Sequence, residues 1–268
     1  MQKLLGLVRR CVDDYDMIRA GDKIAVGVSG GKDSLVLLVL LAGLKKFFNK
    51  PFELEAVTID MGLGMDYSGV EALCRDLDVP YTIIRTEIAP IIFDHRKEKN
   101  PCSMCSKMRR GALNQAILEK GFNKLALGHH YDDAVETFLM SLLFEGRISC
   151  FQPVTDLDRT GIVQIRPMLY IHEKTVDNFA ARQALPVVEM KLNQAVSLRL
   201  RELLDQYGMT QYQLFTKSGV PKSTISNLIH CSYDSVKLRI IHELCQGFGI
   251  SISEFFQSPL FDEDDLDP

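Results

Sequence analysis

An α/β fold built on a parallel sheet, followed by a small all-α domain, is predicted by three features of this 268-residue chain. Short β-branched runs alternate with stretches of helical period as far as Val188. Two of those runs end in a polar, glycine-bearing turn that leads straight into a helix, as β-to-α connections in parallel sheets do. From Leu192 onward only helical periods remain, so the chain divides into 1–188, 192–261 and an acidic tail at 262–268.

The elements follow in order. Leu4, Leu5, Val8, Cys11, Val12 and Tyr15 recur at helical spacing and predict an amphipathic helix that stops before Gly21. Ile24 to Val28 is an apolar strand and Leu35 to Leu44 the helix behind it. Glu53 to Ile59 reads as a second strand closing on Asp60-Met61-Gly62, Tyr67 to Leu77 as a helix, and Tyr81 to Thr86 as a third strand. Asp94 to Arg110 is expected as a charged loop interrupted by Pro101, entering a helix at Gly111 to Lys120. Lys124 to Leu127 is a further strand, and the helix after it runs to Phe144.

Ligands of such a sheet lie beyond the carboxyl ends of its strands, and three segments converge there. In Ser29-Gly30-Gly31-Lys32-Asp33-Ser34 the strand turns into a helix whose first N–H groups point outward unpaired, and the glycines let an anion approach the backbone. Lys32, Ser29 and Ser34 add a cation and two hydroxyls, while Asp33 suits a magnesium ion bridging to phosphate. The turn is too short for G-x-x-x-x-G-K-S/T and contains no G-x-G-x-x-G. Gly128-His129-His130-Tyr131-Asp132-Asp133 is a second such turn, with Gly128 open to a base or ribose and Asp133 in the first helical turn. Its histidines lack the i, i+4 spacing of a zinc helix, so contact with magnesium-ATP is the expectation. Asp60, at the end of the second strand, shares that edge and suits a ribose or magnesium.

Cys102-Ser103-Met104-Cys105 carries a different chemistry. Two thiolates so close can share a metal or form a disulfide, and flanking cations favour the thiolate; a zinc site would need two further ligands. Seven cysteines without a secretory pattern point to thiols or ligands in a reducing compartment. A net charge of −4 gives no global basic signal, so contact with nucleic acid requires a local patch. Without an apolar run of membrane-spanning length, a cytoplasmic protein with no membrane partner is expected.

Taken together, S-G-G-K-D-S, P-C-S-M-C-S-K-M-R-R-G and L-G-H-H-Y-D-D-A-V-E-T, with F-E-G-R and I-R-P-M further on, resemble the tRNA 2-thiocytidine synthetase group of PP-loop sulfurtransferases over residues 1–188. The resemblance implies an adenine nucleotide alpha hydrolase-like, Rossmann-like sheet that holds the pyrophosphate of ATP. It implies adenylation of a tRNA cytidine at its C2 oxygen, then replacement by sulfur from a donor with the help of a 4Fe–4S cluster. Ser29, Gly30, Gly31, Lys32, Asp33, Ser34, Asp60, Arg109, Gly128 and Asp133 would then bind Mg2+ and ATP. Lys32 and Asp33 would be catalytic together with Cys102 and Cys105, which match two of three cluster cysteines. In the family a Pro-Cys segment after the last helix supplies the third, whereas here Glu189-Met190-Lys191-Leu192 follows Val188. Arg96, Lys97, Lys99, Lys107, Arg109 and Arg110 would form the basic surface for tRNA.

The C-terminal region reads as five helices. Val196, Leu200, Leu203 and Leu204 share one helical face that stops at Tyr207-Gly208-Met209. Thr210 and Gln213 make a capping box for a helix to Lys217, and helices at Ser223 to His230, Ser235 to Gly247 and Ser251 to Gln257 follow. M-T-Q-Y-Q-L-F-T-K-S-G-V-P-K-S-T-I-S-N-L resembles the Cro-like helix-turn-helix of phage repressors. That resemblance implies DNA contact through Gln211, Lys222, Ser223, Thr224, Ser226 and Asn227, and a homodimer on a two-fold operator. Two functions are therefore expected in competition: a tRNA sulfurtransferase fused to this domain, or a nucleotide-sensing regulator.

Overall fold

The computed structural model describes residues 1–62, 65–88, 91, 101–157, 161–188, 192–230 and 236–261. It divides into two compact units, one of residues 1–60, 66–86 and 109–188 and the other of 61–65, 87–108 and 189–268.

The first unit is a six-stranded sheet in the order β3-β2-β1-β4-β6-β5. β1 (Lys23–Gly27), β2 (Glu53–Asp60), β3 (Tyr81–Arg85), β4 (Lys124–Ala126) and β6 (Ile162–Ile165) run parallel. The edge strand β5 (Val154–Leu157) pairs antiparallel with β6, so the sheet is mostly rather than wholly parallel. The chain steps from β1 outward to β2 and β3 and then returns to the other side of β1 for β4. The order thus reverses between β1 and β4, which opens the crevice where such sheets bind ligands.

Helices α1 (Gln2–Asp14), α2 (Lys32–Lys45) and α3 (Ser68–Asp76) match the predicted pattern within a few residues. α2 is buried from Ser34 to Ala42 without a break and is apolar on every side, the composition of a helix enclosed by other elements. It forms the main core with Leu4, Val8 and Val12 of α1, Ile24 and Val26 of β1 and Phe179 of a later helix. At the amino edge of the sheet, buried Lys124 of β4 pairs with Asp22 at 3.0 Å, and Asn123 donates to the other Asp22 oxygen at 2.8 Å. These bonds fix the starts of β1 and β4 side by side, and hence their far ends.

The helix expected at Gly111 begins earlier: α4 spans Pro101–Glu119. Pro101 stands at the first helical position, where its missing N–H costs nothing, so the proline starts the helix instead of breaking a loop. α5 (Tyr131–Glu145) follows β4, and α6 (Glu173–Arg182) follows β6. The β5–β6 hairpin lies in a stretch for which the sequence predicted no strand.

In the second unit, α7 (Leu192–Gln206), α8 (Gln211–Ser218), α9 (Lys222–Ile229), α10 (Leu238–Phe248) and α11 (Ile252–Phe256) enclose their own core of Val196, Leu200, Leu214, Ile225, Leu244 and Phe255. A 3-10 turn at Pro259–Phe261 closes it.

Candidate functional site: two strand-to-helix turns at the sheet switch point

The turn after β1 is built by its own hydroxyls. Ser34 Oγ accepts the Ser29 N–H at 3.1 Å and donates to the Gly31 carbonyl at 2.8 Å, while Ser29 Oγ accepts the Gly31 N–H at 3.2 Å. Gly30 has φ +94°, a left-handed conformation that strains any other residue. The first N–H groups of α2 point out of this cradle, where an anion is favoured by the helix dipole.

The turn after β4 lies directly beside it. A Cβ built on Gly128 would come within 3.0 Å of the Asp33 carbonyl carbon and 3.1 Å of the Ser34 nitrogen, so any side chain there would have to press the two backbones apart by a few tenths of an ångström. His130, buried at 4% exposure, caps α5: its Nδ1 accepts the Asp133 N–H at 3.4 Å and its own N–H donates to Asp133 Oδ2 at 2.7 Å. Its Nε2 reaches to 3.9 Å from Asp33 Oδ1.

That Asp33 oxygen is buried and accepts no hydrogen bond. Burial pushes the Asp33 carboxyl up from its ordinary value, against the pull of His130 and Lys32. A buried, unpartnered carboxylate oxygen beside Asp133 is what a hard cation shared with phosphate would use. Asp132 accepts the Glu173 N–H at 2.7 Å, which holds its carboxyl below the usual range and ties α5 to α6.

Lys32 is engaged by α6. Its Nζ is 2.7 Å from Asp177 and 3.2 Å from Glu173. Burial works against its charge, but the two carboxylates outweigh this and push its pKa above the usual lysine value. The Val188 N–H donates to the Gly30 carbonyl at 2.9 Å, and a Cβ on Gly30 would strike Val188 at 2.6 Å. The segment after α6 therefore rests against the turn.

Asp60 sits at the end of β2, on the same edge of the sheet, and its carbonyl accepts both the N–H and the hydroxyl of Thr86. Half-buried Tyr67 feels the Asp60 carboxylate and Arg109 of α4, and burial with Asp60 pushes its phenol up. Arg109 is thus brought to the Asp60 side of the crevice. Tyr67 was not singled out in the sequence, because an aromatic before a helix carries no motif.

In the second unit, α8 and α9 form a helix-turn-helix. Thr210 and Gln213 make the reciprocal capping box, and Gly219 ends α8 in a left-handed conformation. Lys222 and Ser223 are exposed on α9, while Thr224, Ser226, Asn227 and Gln211 are half-buried.

Comparison with known proteins accords with both halves. The PP-loop domain family matches residues 6–206, three quarters of the chain. The tRNA-cytidine(32) 2-sulfurtransferase of Legionella pneumophila is 36% identical over 193 residues, covering 71% of this chain and 68% of that protein. The tRNA-cytidine(32) 2-sulfurtransferase of Coxiella burnetii is 36% identical over 197 residues, covering 71% and 75%. The chain belongs to the tRNA-cytidine 2-sulfurtransferase family of PP-loop proteins. A solved relative, the U34-tRNA thiolase NcsA of Methanococcus maripaludis with its 4Fe–4S cluster, superposes with a TM-score of 0.58 over 88% of this chain and 80% of its own. At 22% identity that likeness speaks for the fold alone. The Cro/C1-type helix-turn-helix DNA-binding domain matches residues 199–258.

Within the family pattern, Cys102 and Cys105 stand in the first two turns of α4. Arg96, Lys97 and Lys99 lie outside the described residues; Lys107 and Arg110 are exposed on α4. Cys11, Cys74 and Cys245 are buried, and burial pushes the first two thiols up to about 12 and about 11. Cys150 donates to the Ala134 carbonyl at 3.3 Å. Among the described residues no three His, Cys, Asp or Glu side chains are grouped to hold a metal ion. No helix among them is long and apolar enough to cross a membrane.

Proposed function

We propose that this chain is an ATP-dependent tRNA sulfurtransferase that adenylates a tRNA cytidine for 2-thiolation. The reading is carried by the contact of the two turns at Gly128 and Asp33, at the switch point of the sheet. The nucleotide is placed with its pyrophosphate on the Ser29–Ser34 cradle and its sugar and base toward Gly128 and Asp60.

The chemistry is a pair of displacements. The C2 oxygen of cytidine attacks the α-phosphorus, the bond to the β,γ-pyrophosphate breaks, and the carbonyl oxygen becomes part of an AMP ester. A reduced-sulfur nucleophile from the donor then adds at C2, and AMP leaves with the oxygen. The N–H groups at the start of α2 and the Lys32 ammonium take up charge on the departing pyrophosphate. Orientation is the other task, since the sulfur is already a strong nucleophile.

Asp33 and Asp133 are the residues that would hold Mg2+, and the unpartnered Asp33 oxygen fits that use. Magnesium bound there would neutralise charge on the phosphates. Glu189-Met190-Lys191-Leu192 stands where the family's third cluster cysteine would follow Val188, so no step is assigned to an iron–sulfur cluster.

Pyrophosphate release by the purified chain with ATP and magnesium tests the first displacement. Release that depends on tRNA and is lost in Lys32→Ala supports it. Release equal with and without tRNA would reject tRNA as the acceptor.

A second reading, a nucleotide-sensing DNA-binding regulator, is favoured by the exposed Lys222 and Ser223 of α9. The two readings are compatible in one chain, and DNA binding by the second unit needs no catalysis by the first.

A further inference from the structure

Two aromatic rings stand in solvent beside the crevice. Tyr131 opens α5 and is 44% exposed. The His172 side chain, just before α6, is 65% exposed. Their ring centroids are 4.5 Å apart with the planes tilted by 60°, so the rings touch without covering one another. A single exposed aromatic is ordinary, but a pair held together in water by two separate segments is not explained by burial. The backbone under them is pinned. The Tyr131 N–H donates to the Ile171 carbonyl at 2.9 Å, the Ile171 N–H donates to the Met168 carbonyl at 2.8 Å, and Ile171 itself is buried. His130 and Met168 pair as a parallel bridge. The ring pair is thus preorganised, with little left to order when a ligand lies on it.

We propose that Tyr131 and His172 form the platform on which an unpaired base of the tRNA stacks as its cytidine enters the crevice, an inference that rests on the sulfurtransferase reading. Position comes first. Asp60 ends β2, whereas Tyr131 follows β4 and His172 follows β6, and β1 with its cradle lies between β2 and β4. The nucleotide's sugar and base are placed on the Asp60 side, so the rings border the other side of the cradle, from which the acceptor reaches the α-phosphorus. His130, next to Tyr131, has its Nε2 3.9 Å from Asp33 Oδ1, and Glu173, next to His172, is 3.2 Å from Lys32 Nζ. Each ring is therefore one residue from a group that touches the cradle. Charge selects a base over the backbone of the RNA. Asp132 Oδ2 is 3.7 Å from His172 Nδ1 and Glu173 follows in the chain, so a phosphate is disfavoured there and an uncharged ring is not. The chemistry agrees: a cytidine stacked within RNA cannot bring its C2 oxygen to the α-phosphorus, so the base must leave its stack, and proteins hold such splayed bases on aromatic faces.

Titration of unmodified tRNA into the full chain, beside calorimetry of magnesium-ATP, tests this. Tyr131→Ala and His172→Ala are each expected to weaken tRNA binding about tenfold or more while ATP affinity stays within about twofold. Tyr131→Phe should bind tRNA as the wild type does, since the platform needs the ring and not its hydroxyl. The slope of log affinity against log salt should be unchanged in Tyr131→Ala, because no phosphate contact is lost. His172→Ala alters an exposed side chain, so it reads the platform even if Tyr131→Ala disturbs the start of α5. Unchanged tRNA affinity in both alanine variants overturns the proposal, as does a Tyr131→Phe variant no better than Tyr131→Ala. Loss of ATP affinity in step with tRNA affinity also overturns it, by putting the adenine on the rings. A wild-type chain that binds no tRNA defeats the sulfurtransferase reading together with this one, whereas tRNA binding that ignores the rings defeats this one alone.

Discussion

The Gly128 position faces the backbone of Asp33 so closely that a methyl group there would lie 3.0 Å from the Asp33 carbonyl carbon. The two strand-to-helix turns therefore form one surface, and the nucleotide site depends on their contact. Gly128→Ala must push them apart, because the neighbour is backbone and cannot rotate away. We predict a loss of ATP affinity of about tenfold or more, roughly 1.4 kcal/mol. Titration calorimetry with unchanged affinity would mean that the nucleotide does not span both turns.

Asp33 gives a prediction with opposite signs for stability and binding. Its carboxyl is raised by burial, so between its unfolded and folded pKa values the native state holds more protons than the unfolded state. Its contribution to stability is therefore present at low pH and falls as pH rises through the folded value. Once ionised, the group is a cost to the ligand-free fold. Asp33→Asn is expected to raise the melting temperature of ligand-free protein at pH 7 while abolishing magnesium-dependent ATP binding. A lower melting temperature, or intact binding, contradicts the role given to the unpartnered oxygen.

Lys32 must leave Asp177 and Glu173 before it can serve a pyrophosphate. Its raised pKa means that the pairing is intact through neutral pH and is lost only above the unfolded value of 10.5. The partners are about half exposed, so each pair is worth under about 1 kcal/mol. Asp177→Ala should cost little stability and tighten ATP binding several-fold. Weaker binding in that variant would make α6 part of the site instead of a competitor for Lys32.

How much of this was legible in the sequence differs by element. The Ser29–Ser34 and Gly128–Asp133 turns could be read because each compresses its chemistry into six consecutive residues with a strand before and a helix after. The capping box of Thr210 and Gln213 was readable for the same local reason. The Lys32 clamp was not: Glu173 and Asp177 are 141 and 145 residues away, and nothing in a surface helix marks which lysine its acids will meet. The β5–β6 hairpin escaped because it is short and half-buried, with Val154–Leu157 at the sheet edge. Pro101 reads from the sequence as a loop residue, although a proline suits a helix start equally well.

The second unit has its own core around Leu200, Leu214, Leu244 and Phe255, supplied by helices α7 to α11. We predict that residues 189–268 unfold cooperatively as an isolated fragment and enrich specific duplexes from a random pool at low salt. Replacing Ser223, Ser226 and Asn227 by alanine should remove the enrichment, since these lie on the helix that would enter the major groove. A fragment that folds but enriches nothing would leave α9 as a protein-binding helix.

The proposed role of the crevice is to activate a tRNA cytidine for sulfur. Mass spectrometry of nucleosides from tRNA, digested after incubation with the chain, ATP, magnesium and a sulfide donor under anaerobic conditions, tests it most directly. 2-Thiocytidine is expected with the wild-type chain and none with Asp33→Ala. Pyrophosphate release that proceeds with tRNA while 2-thiocytidine never forms, under conditions where a family relative makes it, would contradict the sulfurtransferase assignment.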